Sequence, residues 1–181
     1  MRYHNTMRPA QAGRRRDDGI PPESAPLPRP PVIKEILMVE WVDALIPQPP
    51  QVTPDAIRAA EEQLDVRFPS DFLDVVRVHQ GAQPVPNHIT IPDFGGTAVA
   101  HLLHFQDAPG HTNIVARRFP LDDAMEDGVI PFAEDVGDDL FCFDYRRNPA
   151  RPSVVFWSVD TGPLHLADSF TDFLDILYED E

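Results

Sequence analysis

The chain is 181 residues long, enough for one ordinary domain and a tail. Its 30 acidic against 15 basic residues give a formal net charge of −15, which opposes binding to nucleic acid or an anionic membrane and favours a basic partner. No apolar stretch nears the ~20 residues of a membrane span, the start Met1-Arg2-Tyr3-His4-Asn5 lacks a signal-peptide core, and the single cysteine, Cys142, excludes an intramolecular disulfide, so a soluble protein of the reducing cytoplasm is expected.

Eleven of the 21 prolines fall at or before Pro54. With Arg14-Arg15-Arg16 and few apolar residues, 1–31 reads as a disordered Pro/Arg-rich leader. Ile36, Leu37, Trp41, Leu45 and Ile46 predict an amphipathic lead-in helix over Ile33–Ile46, and Pro47, Pro49 and Pro50 make 32–50 a helix and linker. The domain proper is expected over 51–181, where eight basic residues face 24 acidic ones. Thr53 as N-cap and Pro54 at the first position start a helix with Ile57, Ala60 and Leu64 on one face. Pro69-Ser70-Asp71 starts a second, with Phe72, Val75, Val76 and His79 at helical spacing, and Gly81 stops it.

The period then changes. Ile89–Ile91, Val99–Phe105, Val129–Phe132, Leu140–Tyr145 and Val154–Val159 are short β-type runs, several of them divided by glycine- and proline-bearing turns. Phe141, Phe143 and Tyr145 share a face. Val154-Val155-Phe156-Trp157 is apolar on both faces, as a central strand should be. Ser169-Phe170-Thr171-Asp172, nearly a capping box, opens a last helix that turns Phe170, Phe173, Leu174 and Leu177 inward. The expected class is α+β: a single domain with a mostly antiparallel sheet of about five or six strands, N-terminal helices and a C-terminal helix packed on it.

Three stretches carry a family resemblance. Pro54–Leu64 with Phe68-Pro69-Ser70-Asp71-Phe72 and Gln80-Gly81, then Val129–Asp135 with Gly137-Asp138-Asp139-Leu140-Phe141, then Ala167–Leu174, stand in the order seen in the SUKH superfamily. That superfamily holds bacterial toxin-immunity proteins and a yeast regulator of cell-wall synthesis, and the resemblance covers roughly 40–181. It implies a domain without catalytic residues that binds a protein, either an immunity protein neutralising a basic bacterial toxin or a regulatory scaffold for a host protein. In one departure, Gly81-Ala82 stands where many members have a double glycine, which implies a looser loop.

The residues themselves offer no catalytic motif: no phosphate-cradling glycine loop, no Gly-x-Ser-x-Gly and no His-Glu-x-x-His. His101-x-x-His104, with His111 downstream, has metal-ligand residue types. On a strand, however, positions three apart point to opposite faces, so neither a metal nor a cofactor is expected. Cys142 sits in an apolar run with no cationic neighbour and reads as a small buried hydrophobe. The candidates for partner contact are the acids Glu134, Asp135, Asp138 and Asp139, read as one connection around Gly137. Asp122 and Asp123 lie upstream, and Trp41 is a possible anchor. Adjacent acids of this kind are more often a solvated face than a site.

Overall fold

Local chemistry starts each helix. In the computed structural model, which describes residues 39–45, 47–108 and 113–180, Thr53 Oγ1 accepts from Ala56 N at 3.2 Å and Pro54 opens α1 (Pro54–Leu64). Ile57 and Ala60 of α1 turn inward. Glu61 turns inward with them; its Oε1 accepts from Phe68 N at 3.0 Å and its Oε2 pairs with Arg67 at 2.5 Å. Those bonds tie the helix to the link that follows. α2 (Ser70–His79) buries Phe72 and Val76 and ends where Gly81 takes φ 74°. A Cβ on Gly81 would lie 2.8 Å from Pro49 Cγ, so the position needs glycine for space as well as for backbone conformation.

Two expectations are corrected here. No loose loop follows Gly81: Ala82 is buried and opens β2 (Ala82–Val85) at once. Nor are residues 40–43 helical, because they form β1 (Glu40–Asp43), antiparallel to β2 with Trp41 opposite Pro84. Trp41 and Val42 are strand-favouring, the prolines from Pro47 on leave little room for a stable helix, and β2 supplies a ladder. The predicted leader 1–31, the earlier part of the lead-in helix and Ile46 lie outside the described residues.

The main sheet has six strands: β3 (His88–Ile91), β4 (Gly95–Leu102), β5 (Val129–Asp135), β6 (Leu140–Asp144), β7 (Ser153–Ser158) and β8 (Gly162–Ala167). They lie side by side in chain order, each antiparallel to the next. The link from β4 to β5 carries α3 (Ile114–Arg118) and a 3₁₀ turn (Phe119–Leu121), and α4 (Phe170–Asp175) follows β8. The domain is therefore α+β with a mostly antiparallel sheet and a C-terminal helix, as the sequence predicts. Sequence patterning passes over β8, whose half-exposed residues lack a clean alternation, and α3, which is too short to show a period.

Both faces of the middle strands are covered. On one, Phe132, Phe143 and Phe170 crowd around Phe72, with ring centroids 5.7, 5.1 and 5.2 Å from it. On the other, Met125 and Leu121 cover Leu140, Cys142, Val155 and Trp157. That second cover explains why Leu140–Phe143 of β6 and Val154–Trp157 of β7 are apolar on both faces and do not alternate. Burial pushes the Cys142 thiol well above its ordinary range. The β3 edge is closed by the C-terminal segment, where His88 and Tyr178 exchange backbone bonds of 3.1 and 2.9 Å. β8 is the outermost strand at the far edge. No helix among the described residues is long and apolar enough to cross a membrane.

Candidate partner-binding surface

The acids from Glu134 to Asp139 do not form one solvent-facing connection. Glu134 and Asp135 are the last residues of β5, and Asp135 is only 5% exposed. Its Oδ1 accepts from Gly137 N at 2.7 Å and Asp139 N at 2.8 Å, while its Oδ2 accepts from Thr97 Oγ1 at 2.7 Å. Asp135 thus organises the turn, and a partner cannot reach its carboxylate. Glu134 is half-buried, 2.6 Å from Arg117 and 3.5 Å from His101. Arg117 also donates to Asp138 O at 2.8 Å. Asp139 is half-buried as well: burial raises its carboxyl above the ordinary value, a hydrogen bond from Ser158 opposes this, and the nearby Asp135 charge adds to it. Asp138, in the left-handed region at φ 69°, is the one fully exposed acid of the four.

A second acidic region lies at the other end of β5, about 20 Å away at the usual strand rise. The end of α1 and the segment after α3 face each other across a groove of about 770 Å³. Ile130 and the ring of Tyr145, both buried, form its floor, and Phe119, 48% exposed, stands at its side. Glu62, Asp65, Asp122 and Asp127 are exposed around it. Arg118 holds the far wall: its guanidinium is buried, donates to Val129 O at 3.1 Å and pairs with Asp122. The near wall is held by Tyr145 Oη, which donates to Arg67 O at 3.0 Å, and by Asp65, which caps α1 at φ 52°. Among the described residues Glu62, Asp65 and Asp127 make no ion pair across this groove, so their charge is presented outward over an apolar floor. The model of the SMI1 / KNR4 family (SUKH-1) matches residues 51–176.

The chain belongs to the SMI1 / KNR4 family. Membership carries a protein-binding role of the immunity or regulatory kind. No curated protein matches the chain. The stretches that resemble the family now have physical explanations. In Pro69-Ser70-Asp71-Phe72, Phe72 is the hub of the aromatic core. Asp71 reaches across to α4, its Oδ2 accepting from Thr171 N at 3.0 Å and Thr171 Oγ1 at 2.9 Å. Ser169 caps the same helix: its Oγ accepts from Asp172 N at 3.1 Å and donates to Asp172 Oδ2 at 2.7 Å. The first and last of those stretches thus meet at one helix start. The middle stretch is β5, its Asp135-ordered turn and β6.

The remaining sequence candidates are scattered. Asp122 borders the groove, whereas Asp123 is exposed beside it without lining it. Trp41 is half-buried and stacks on His79 at the end of α2, with ring centroids 5.7 Å apart. β4 ends at Leu102, so His104 lies beyond the strand, buried with its Nδ1 2.5 Å from Gln106 O, while His101 faces Glu134. The strand-phase argument therefore does not extend to His104. His111 lies outside the described residues. Glu62, Asp65 and Phe119 were not singled out from sequence; the exposed aromatic Phe119 between Arg118 and Pro120 was the available signal.

Proposed function

We propose that this domain is a non-catalytic immunity protein that binds and neutralises a basic bacterial toxin domain, and that the acidic groove is its principal contact. The observation that carries this reading is the groove itself: exposed carboxylates that pair with no described residue stand around an apolar floor. An apolar patch excludes water and holds an anchor side chain, while the surrounding charge steers a basic partner and sets its orientation. Ile130, Tyr145 and Phe119 supply the first property, and Glu62, Asp65 and Asp127 the second. Asp138 adds a weaker negative point about 20 Å away, and Trp41 stands apart as a lesser candidate. The excess of acid over base throughout residues 51–181 strengthens the long-range part of the attraction.

The test compares wild-type and Glu62→Lys/Asp127→Lys baits in affinity capture from the source strain. A basic protein retained by the first and lost by the second, toxic when expressed alone and harmless when co-expressed with the chain, is the expected result. A partner that both baits retain removes the groove from the proposal. A partner that is not toxic replaces immunity with regulatory scaffolding.

A further inference from the structure

In a domain so rich in acid, arginines are expected to be neutralised, and most of them are. Among the described residues Arg58 pairs with Asp55, Arg67 with Glu61, Arg77 with Asp74, Arg117 with Glu134, Arg118 with Asp122 and Arg146 with Asp144. Arg147 and Arg151 form no such pair with any described residue. Both lie in the link from β6 to β7, both are exposed, and both line one cleft of about 450 Å³.

That link is held in place by its own bonds. Asp144 clasps Arg146 at 2.8 and 2.7 Å and also accepts from Arg146 N at 3.0 Å. Those bonds hold the Asp144 carboxyl below its ordinary range. Tyr145 N donates to Gly128 O at 2.8 Å, and Asn148 ties off a turn through bonds of 3.1 Å to the backbone N–H groups of Ala150 and Arg151. The guanidiniums of Arg147 and Arg151 therefore project from an anchored link. The opposite wall is the β7–β8 hairpin, with Ser153 and Val155 on β7 and His165 on β8. Two carboxylates also border the cleft. Asp144 is already occupied by Arg146, and Asp168, 88% exposed, lies 3.5 Å from His165. Arg146, Arg147 and Arg151 stand against Asp144 and Asp168 around the cleft, three cations to two carboxylates, which leaves it positive on a strongly negative body.

We propose that this cleft is an oxyanion-binding site that takes a carboxylate or phosphate group between Arg147 and Arg151. Guanidinium geometry suits both groups, since its planar array of donors can engage two oxygens at once. The site shares no lining residue with the acidic groove, which Pro149 of the same link borders, and it does not depend on what the groove binds.

The experiment titrates the full chain with inorganic phosphate and, separately, with a hexaglutamate peptide, while backbone amide shifts are followed. At ~0.1 M salt charges beyond about 10 Å are largely screened, so the arginines at the site decide the outcome over the acidic body. Saturable shifts confined to residues 146–153 and 163–166 are expected, with affinity falling about tenfold or more in Arg147→Gln/Arg151→Gln. Arg58→Gln/Arg77→Gln removes the same charge from two solvent-facing pairs and should leave affinity within about twofold. Saturation by phosphate alone identifies a small phosphate-bearing ligand, and saturation by the peptide alone identifies an acidic segment of a partner. If neither probe saturates, or if both double variants weaken binding equally, the site does not exist.

Discussion

The turn after β5 and the groove beside α1 are both dense in carboxylates, yet their carboxylates are used in different ways. At the turn, Asp135 receives three hydrogen bonds, Glu134 is paired with Arg117, and Asp139 is half-covered. At the groove, Glu62, Asp65 and Asp127 stay exposed and form no ion pair with any described residue, over buried Ile130 and Tyr145. A cluster of acids in sequence is thus no measure of presented charge. What matters is how many donors the fold brings to each carboxylate: a satisfied one stabilises the chain, and an unsatisfied one projects its field outward.

The contrast is most sharply tested at Asp135. Asp135→Ala strands three donors, and a loss of about 3 kcal/mol is expected, or roughly 10 °C in a thermal melt of a domain this size. A variant that melts like wild type would put the turn acids in the same class as the groove acids. Charge reversal at Glu62 and Asp127 should do the opposite. Stability should change by less than about 0.5 kcal/mol, while association with the captured partner slows about tenfold or more at low salt and less so as salt rises. Asp138→Asn, which keeps a residue type tolerant of positive φ, serves as the matching arm at the turn, and its association rate should stay within about threefold of wild type. If Asp138→Asn slows binding more than the groove variant does, the roles of the two regions are reversed.

Smaller effects refine the contrast. Asp71→Ala removes the cross-helix bonds to Thr171 and should lower stability by about 1–2 kcal/mol, with the loss visible as faster amide exchange in α4. Asp139 should show the opposite sign. Its carboxyl is raised chiefly by burial, so its ionised form is less favourable in the folded chain than in the unfolded one. That penalty is fully present above the folded-state value and disappears as pH falls below about 4. Asp139→Asn should therefore melt slightly above wild type at pH 7 and level with it in acid. A variant less stable than wild type at pH 7 would show that the bond from Ser158 outweighs burial.

Much of the fold was legible because it is written in neighbouring residues. Thr53-Pro54, Pro69-Ser70-Asp71 and Ser169–Asp172 each carry a helix start within four residues, and the two-sided apolar run Val154–Trp157 marks an interior strand by itself. The 40–43 segment misled because Trp41 and Val42 suit either a helix face or a strand, and only pairing with β2 decides between them. The acidic turn misled for a related reason. Sequence places Asp135 beside Gly137, but Thr97 Oγ1 reaches it from 38 residues away.

The sequence by itself determined the class of fold, the family, the helix starts, the central strands and the acidic character of the surface, because periodicity, capping and net charge depend on residues close in the chain or on their sum. The tertiary structure alone decided which acids are available. The groove joins the end of α1 to the segment after α3 and to Tyr145, the Asp71–Thr171 bonds span 100 residues, and Arg147 and Arg151 stand out only once every other described arginine has a carboxylate beside it. Whether a charge is neutralised depends on which atoms lie within a few ångströms of it, and only the folded chain sets those distances.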